Sequence, residues 1–257
     1  MDKDGQIVLD ARVKGYLRRL VAGEHAASGY RKLTSLLRRI YRLVINKKKV
    51  YRLCKEMGIL SPQRQITNTA PRKIARNRVV TGPNQLWQMD IKYGYVVGKR
   101  RHFLVANIID VFDRTLVGHY RGKRCDAQDI VRLTQKALLK RNALNQAQPL
   151  VIRTDNGPQF ISKAFSEFVA QVNIEHERIP NKTPNMNAYV ESFHSILELE
   201  CFRRHCFESY EEAFKVVDRF MHFYNTRRLH GSLKDLPPAE YLQMVHNGTI
   251  QPEQIAV

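Results

Sequence analysis

The stretch Leu86-Trp87-Gln88-Met89-Asp90-Ile91-Lys92-Tyr93-Gly94-Tyr95-Val96-Val97 is rich in aromatic and β-branched residues, a composition that favours a pleated strand. Asp90 does not suit it. A carboxylate inside an apolar strand is costly to bury unless it is paired or holds a cation. Two more β-like runs follow at residues 101–112 and 115–121, separated by Gly98-Lys99-Arg100 and Asp113-Arg114. A helix is predicted over residues 126–140, with Asp126 at its start and Ile130, Leu133, Ala137 and Leu138 facing inward. A short buried strand (150–154), a helix (163–172), a strand (174–179) and two helices (187–203 and 210–224) complete the set. Three consecutive strands, then alternating helix and strand, predict an α/β fold whose sheet begins antiparallel.

Upstream of Leu86 the character changes. Residues 1–60 read as short helices: one over 7–21, a second over 30–41 with Tyr30, Leu33, Leu37 and Ile40 on one face, and a third between Asn46 as N-cap and Gly58. In the third, Val50, Leu53 and Met57 make an apolar stripe, while Lys47, Lys48, Lys49, Arg52 and Lys55 cover the rest. Two short helices, the second heavily basic, suit a helix-turn-helix that meets DNA; a small basic bundle packed against its neighbour is the alternative. Residues 61–83 hold three prolines, five basic residues and no acid, which predicts an extended linker that tracks a phosphate backbone.

Composition narrows the function classes. The chain has 257 residues, 43% hydrophobic and 26% charged, enough for two domains with a full core. No apolar run approaches the ~18–20 residues a membrane span requires, and the start lacks the pattern of a signal peptide. Cys54, Cys125, Cys201 and Cys206 form no CxxC pair, so an intracellular, reduced protein is expected. The formal net charge is +19, and residues 1–80 carry 20 basic against 5 acidic side chains. Nucleic acid is the partner this predicts, since neutralising phosphates releases condensed counterions.

Three acids stand out as candidates for chemistry. Asp90 lies within a strand, Asp155 ends the strand Leu150-Val151-Ile152-Arg153-Thr154, and Glu191 sits on a helix. On that helix Val190, Phe193, Leu197 and Cys201 form an apolar face, and Asn187, Glu191, His194 and Glu198 an adjacent polar stripe. Each acid alone has a structural explanation: a salt-bridged core acid, a turn residue before Asn156-Gly157, a solvated helix position. Asp110, which ends the second strand, is as plausible structurally as chemically. Three hard carboxylates on one site, however, would suit Mg²⁺ or Mn²⁺.

Between Asp155 and Glu191 lie 35 residues. With Asp90 on an earlier strand, this resembles the DDE triad of ribonuclease H-like transposases and retroviral integrases, above all the insertion-sequence three family of bacterial transposases. Gly29-Tyr30-Arg31-Lys32 and residues 48–59 resemble that family's helix-turn-helix. Asn84-Gln85-Leu86-Trp87-Gln88-Met89-Asp90, Thr154-Asp155-Asn156-Gly157-Pro158-Gln159-Phe160 and Asn187-Ala188-Tyr189-Val190-Glu191-Ser192-Phe193-His194 resemble its three acidic motifs. Tyr224-Asn225, Arg228, His230, Leu233, Pro238 and Tyr241 resemble its C-terminal motif.

The resemblance implies a ribonuclease H-like integrase core with a mixed five-stranded sheet (84–205), preceded by a helix-turn-helix domain (1–60) and linker (61–83) and followed by a helical extension (206–257). It implies a DNA transposase: Asp90, Asp155 and Glu191 would hold two Mg²⁺ (or Mn²⁺) ions, and water or a DNA 3′-hydroxyl would attack a phosphodiester at the element's ends. Lys47, Lys48, Lys49, Arg52, His194, Arg227, Arg228 and His230 are candidate DNA contacts. The partners implied are element-end and target DNA, further copies of the chain, and an upstream-frame product with a helix-turn-helix and leucine zipper, all in the bacterial cytoplasm at the nucleoid. A DNA-binding repressor or assembly partner with an idle centre is the alternative. The chain departs from the family pattern at Glu198, where a basic residue is usual, and at Lys182 and Met186. A zinc site from His194, Cys201, His205 and Cys206 is a weaker reading.

Overall fold

Alternation along the leading strands decides the layering of the larger part of the molecule. The computed structural model describes residues 1, 3–60, 78–144, 146, 148–180 and 184–257; most of the expected linker, and Lys182, lie outside the described residues. The described residues fall into two compact units, one containing residues up to 60 with Arg228–Leu236, the other containing 78–227 with Pro237–Val257.

In the smaller unit, helices α1 (Asp10–Ala22), α2 (Tyr30–Ile40) and α3 (Lys47–Glu56) bury Val13, Leu17, Leu33, Leu37, Val50 and Leu53 together. Asn46 caps α3 as its sequence position predicts: its side chain accepts from the Lys48 amide at 2.8 Å. The first helix starts at Asp10 rather than at residue 7, and Ile7 and Leu9 stay exposed.

In the larger unit, β2 (Leu86–Val96), β3 (Arg101–Asp110), β4 (Leu116–Gly122), β5 (Val151–Thr154) and β6 (Glu175–Arg178) form one sheet in the order β4-β3-β2-β5-β6. β2, β3 and β4 pair antiparallel; β5 joins β2, and β6 joins β5, in parallel. Trp87, Met89, Ala106 and Ile108 point to one face and pack on α4 (Ala127–Lys140) and α5 (Lys163–Gln171). Val96, Phe103, Val105 and Ile109 point to the other and pack on α6 (Ala188–Glu200) and α7 (Tyr210–Thr226). This is the mixed five-stranded sheet with flanking helices expected of an integrase core. A helix α8 (Pro238–His246) follows, and Val79–Val80 (β1) pairs with Ile255–Ala256 (β7) in a separate two-stranded sheet. Val79 and Val80 thus belong to a sheet where the sequence suggested linker. None of the described helices is long and apolar enough to cross a membrane.

Asp110 serves the fold. It is fully buried beside Trp87, whose indole N–H donates to it at 3.2 Å, and it shares Arg141 with the equally buried Asp113 at 2.9 and 2.6 Å. Burial and the neighbouring Asp113 push the Asp110 carboxyl up to about 7, against the pull of Arg141 and the amides of Asn84 and Phe112. Arg141→Met leaves both acids without their cation, an expected loss of about 3–5 kcal/mol. Urea unfolding should show a smaller loss at pH 5.5 than at pH 8, because a carboxyl whose folded pKa is raised takes up its proton as pH falls and then strands no charge.

Candidate active site

The parallel pairing of β2 and β5 brings two of the three acids together. Leu86, Trp87 and Gln88 stand opposite Val151, Ile152 and Arg153. Asp90 lies two residues beyond Gln88 and Asp155 two beyond Arg153, and the negative charge of Asp90 is felt at Asp155. Residues two apart on a strand share a face. Gln88, Asp90 and Lys92 therefore line the face that meets α6, and Arg153 precedes Asp155 on the same side.

These residues seat the helix that carries Glu191. The Gln88 side-chain oxygen accepts from the amides of Tyr189 and Val190 at 2.9 and 3.2 Å, satisfying donors that a helix start leaves unpaired. The Gln88 Nε2 and the fully buried Arg153 both donate to the Met186 carbonyl, at 3.0 and 2.9 Å, and Asn187 donates to the Met89 carbonyl at 3.2 Å. Arg153 is neutralised by Glu177 at 3.2 Å. Further along α6, His194 Nδ1 lies 3.3 Å from Asp90 Oδ2, and Lys92 Nζ lies 3.1 Å from Glu198. Val190, Phe193 and Leu197, at most 1% exposed, anchor the opposite stripe, each contributing about 1.5–3 kcal/mol by burial. Glu191 stands in the first turn of α6, one turn before His194 and so on the same side of the helix.

Asp90 is held from two directions. The Ile91 amide donates to its Oδ1 at 2.8 Å. Asn107, the cross-strand partner of Asp90, places its Nδ2 3.0 Å from His194 Nε2 and donates to the Val105 carbonyl. That makes Nε2 the acceptor and leaves the Nδ1 proton for Asp90. Burial raises the Asp155 carboxyl above its ordinary range, the Gly157 amide at 2.9 Å opposes this, and Asp90 adds to it. Two half-buried carboxylates in one another's field, with a third on the adjoining helix, make a hard-oxygen donor set that fits a divalent cation. Among the described residues no three His, Cys, Asp or Glu side chains are already drawn into a metal-holding cluster.

The expected DNA contacts divide by environment. Lys47 and Lys48 are exposed and make no ion pair among the described residues. Lys49 and Arg52 bind Asp10 at 2.7 Å each, and Arg52 also binds Glu56. Arg227 is exposed, its guanidinium 5.9 Å from the Phe223 ring. His194, Arg228 and His230 are at most 7% exposed; His194 is engaged with Asp90 and Asn107, and Arg228 lies 3.4 Å from both ring nitrogens of His230. These three are packed inside rather than displayed on a surface. His205 donates to the Cys201 carbonyl at 2.8 Å, and burial pushes the Cys201 thiol up to about 12, a setting for a core thiol rather than a zinc ligand. Sequence reasoning passed over Gln88, Arg153, Asn107 and Lys92. A legible signal existed for two of them: each of the two strand aspartates has a polar residue two positions before it.

Two models described as "Integrase core domain" match residues 80–184 and 172–238, and one described as "HTH-like domain" matches residues 9–66. An uncharacterized 39.2 kDa protein of insertion element IS476 from Xanthomonas euvesicatoria is 33% identical over 86% of this chain, which spans 62% of that protein. The putative transposase InsK of IS150 from Escherichia coli is 27% identical over 90% of this chain and 83% of its own length. The transposase InsF of IS3A, also from Escherichia coli, is 28% identical over 63% and 54% respectively.

Gln88→Leu keeps the volume but leaves the Tyr189 and Val190 amides without acceptors, at about 1–3 kcal/mol for each stranded group. Hydrogen exchange should show those two amides losing protection by roughly tenfold or more while the β2–β3 ladder keeps its own. Equal loss in both places would mean that Gln88 supports the whole sheet rather than the seat of α6.

Proposed function

Because this chain belongs to the insertion-sequence transposases that carry an integrase core, we propose that it is a DDE polynucleotidyl transferase that cuts DNA at element ends and joins them to a target. What supports the reading is that Gln88 and Arg153, each two residues before a candidate aspartate, hold the start of the helix that carries Glu191 in its first turn. Asp90, Asp155 and Glu191 would hold the divalent ions, Mg²⁺ or Mn²⁺. When bound, two such ions supply activation of an attacking oxygen and stabilisation of a leaving oxygen in phosphodiester chemistry.

The protein's own part is orientation. Ile91 and His194 fix the two oxygens of Asp90, Asn107 fixes the tautomer of His194, and the Gly157 amide turns Asp155. No serine or tyrosine is needed as nucleophile, so no covalent protein–DNA intermediate is expected. Joining two ends calls for more than one copy on the DNA. Lys47 and Lys48 would hold phosphates, with Lys49 and Arg52 available only in competition with Asp10.

Purified protein with end-containing DNA should nick and join strands only when Mg²⁺ or Mn²⁺ is present. Asp155→Asn or Glu191→Gln should each cost roughly a hundredfold or more in nicking, with thermal unfolding little changed. DNA binding without nicking under any metal condition would instead indicate a binding partner with an idle centre. Lys47→Ala with Lys48→Ala should weaken duplex binding at all sequences and lower the slope of log affinity against log salt by about 2. An unchanged slope would remove these lysines from the phosphate contacts.

A further inference from the structure

Past Ile91 the α4–α5 face of the sheet becomes open. β2 is 11 residues long, but its pairing with β5 covers only Leu86–Gln88, so its distal half is paired with β3 alone. Trp87 and Met89 are fully buried on this face, whereas Tyr93 and Tyr95, in the same alternation, are 62% and 45% exposed. His102 lies opposite Tyr95 in the register, with its ring centroid 5.0 Å from Tyr95 and 6.2 Å from Tyr93. Three neighbouring rings thus stand in solvent on one face of a two-stranded ribbon.

The ribbon is firmly held. A Cβ on Gly94 would meet the Phe103 ring at 2.2 Å, so only glycine lets Phe103 pack beneath the strand. At the turn, the amides of Val97 and Gly98 donate to the Phe207 carbonyl at 2.8 and 3.3 Å. Rings on a fixed support lose little freedom when they meet a ligand. Beside them run three consecutive exposed cations, Lys99, Arg100 and Arg101, which make no ion pair among the described residues.

Single exposed aromatics are ordinary. Contiguous rings beside a bare cationic turn are what an unpaired nucleic-acid strand requires, with ring faces for its bases and cations for its backbone. A duplex hides its base faces and has no use for the rings. A second copy of the same tip would bring like charges together. Tyr93 and Tyr95 stand on the opposite face of the sheet from Asp90, because residues an odd number apart on a strand point to opposite sides.

We propose that Tyr93, Tyr95 and His102, with Lys99, Arg100 and Arg101, form a stacking platform for the unpaired bases of a single DNA strand. The binding of unpaired bases does not rest on the transposase reading above. The full chain is titrated into a fluorescein-labelled oligothymidylate and followed by anisotropy. Tyr93→Ala with Tyr95→Ala should weaken binding roughly tenfold or more, while Tyr93→Phe with Tyr95→Phe should leave it within about twofold. An oligonucleotide carrying 5-iodouracil should crosslink on irradiation to the peptide containing Tyr93 and Tyr95. Unchanged affinity in the alanine variant, or crosslinks confined to other peptides, overturns the proposal. So does a wild-type dimer that the alanine variant dissociates with no change in oligonucleotide affinity, since the rings would then cover a second copy. Wild-type nicking is measured in parallel. Binding through the rings without nicking would sink the transposase reading and leave the platform standing, whereas nicking with ring-independent binding would do the reverse.

Discussion

The Met186 carbonyl accepts from Gln88 of β2 and from Arg153 of β5, and the relation between α6 and the sheet depends on this convergence. A buried arginine needs its charge met; Glu177 does this for Arg153, whose Nη1 donates to the Met186 carbonyl. The helix start has the complementary need, amides without acceptors, which the Gln88 oxygen supplies. Apolar contacts alone hold a helix on a sheet but tolerate sliding, because the hydrophobic effect is non-directional. The polar seam sets one position along the strand, and Glu191 inherits it.

The seam continues as a correspondence between strand and helix: Gln88 with the helix start, Asp90 with His194, Lys92 with Glu198. Glu198, unusual against the family pattern, is therefore part of an ion pair that joins α6 to β2. It is the geometry of three same-face residues meeting one helical stripe. Asp110 is held differently. That acid is also on an inner strand, but Arg141, Trp87 and two backbone amides meet it. Among the described residues, Asp155 has a single amide, from Gly157, and the repulsion of Asp90. A strand acid met by a cation and several donors is a fold element even beside another acid, as Asp110 is beside Asp113, and one beside an acid without such a cation is a candidate for chemistry.

Much of this was legible beforehand. The strands at 86–96, 101–110 and 116–122 and the helices around them follow from alternation, helical spacing and caps, with ends displaced by a few residues where chain ends fray. The contrast between Asn46, which caps α3, and residues 7–9, which precede α1 outside any helix, shows the limit. A cap is a local bond, whereas the start of α1 is set by where burial begins. β1 and β7, two residues each and far apart in sequence, carry no readable period. The last turn of α6 gives way to a 3-10 turn at Phe202–Arg204, a difference of hydrogen-bond register that residue types do not specify.

Residue order by itself determined the mixed sheet and the basic helical unit ahead of it, and it singled out three acids as candidates, because each rests on local periodicity or on ordered motifs. Tertiary structure alone decided which acids meet. Gln88 faces Arg153 through a parallel register between strands 65 residues apart, which brings the charge of Asp90 to bear on Asp155, and nothing in either strand encodes that offset. It also decided which cations remain available, leaving Lys47 and Lys48 exposed while Asp10 takes Lys49 and Arg52. It alone set Tyr93 and Tyr95 in solvent on a strand whose first half is buried. The physical reason is the same in all three cases: charge pairing and exposure depend on what lies across space, and sequence records only what lies along the chain.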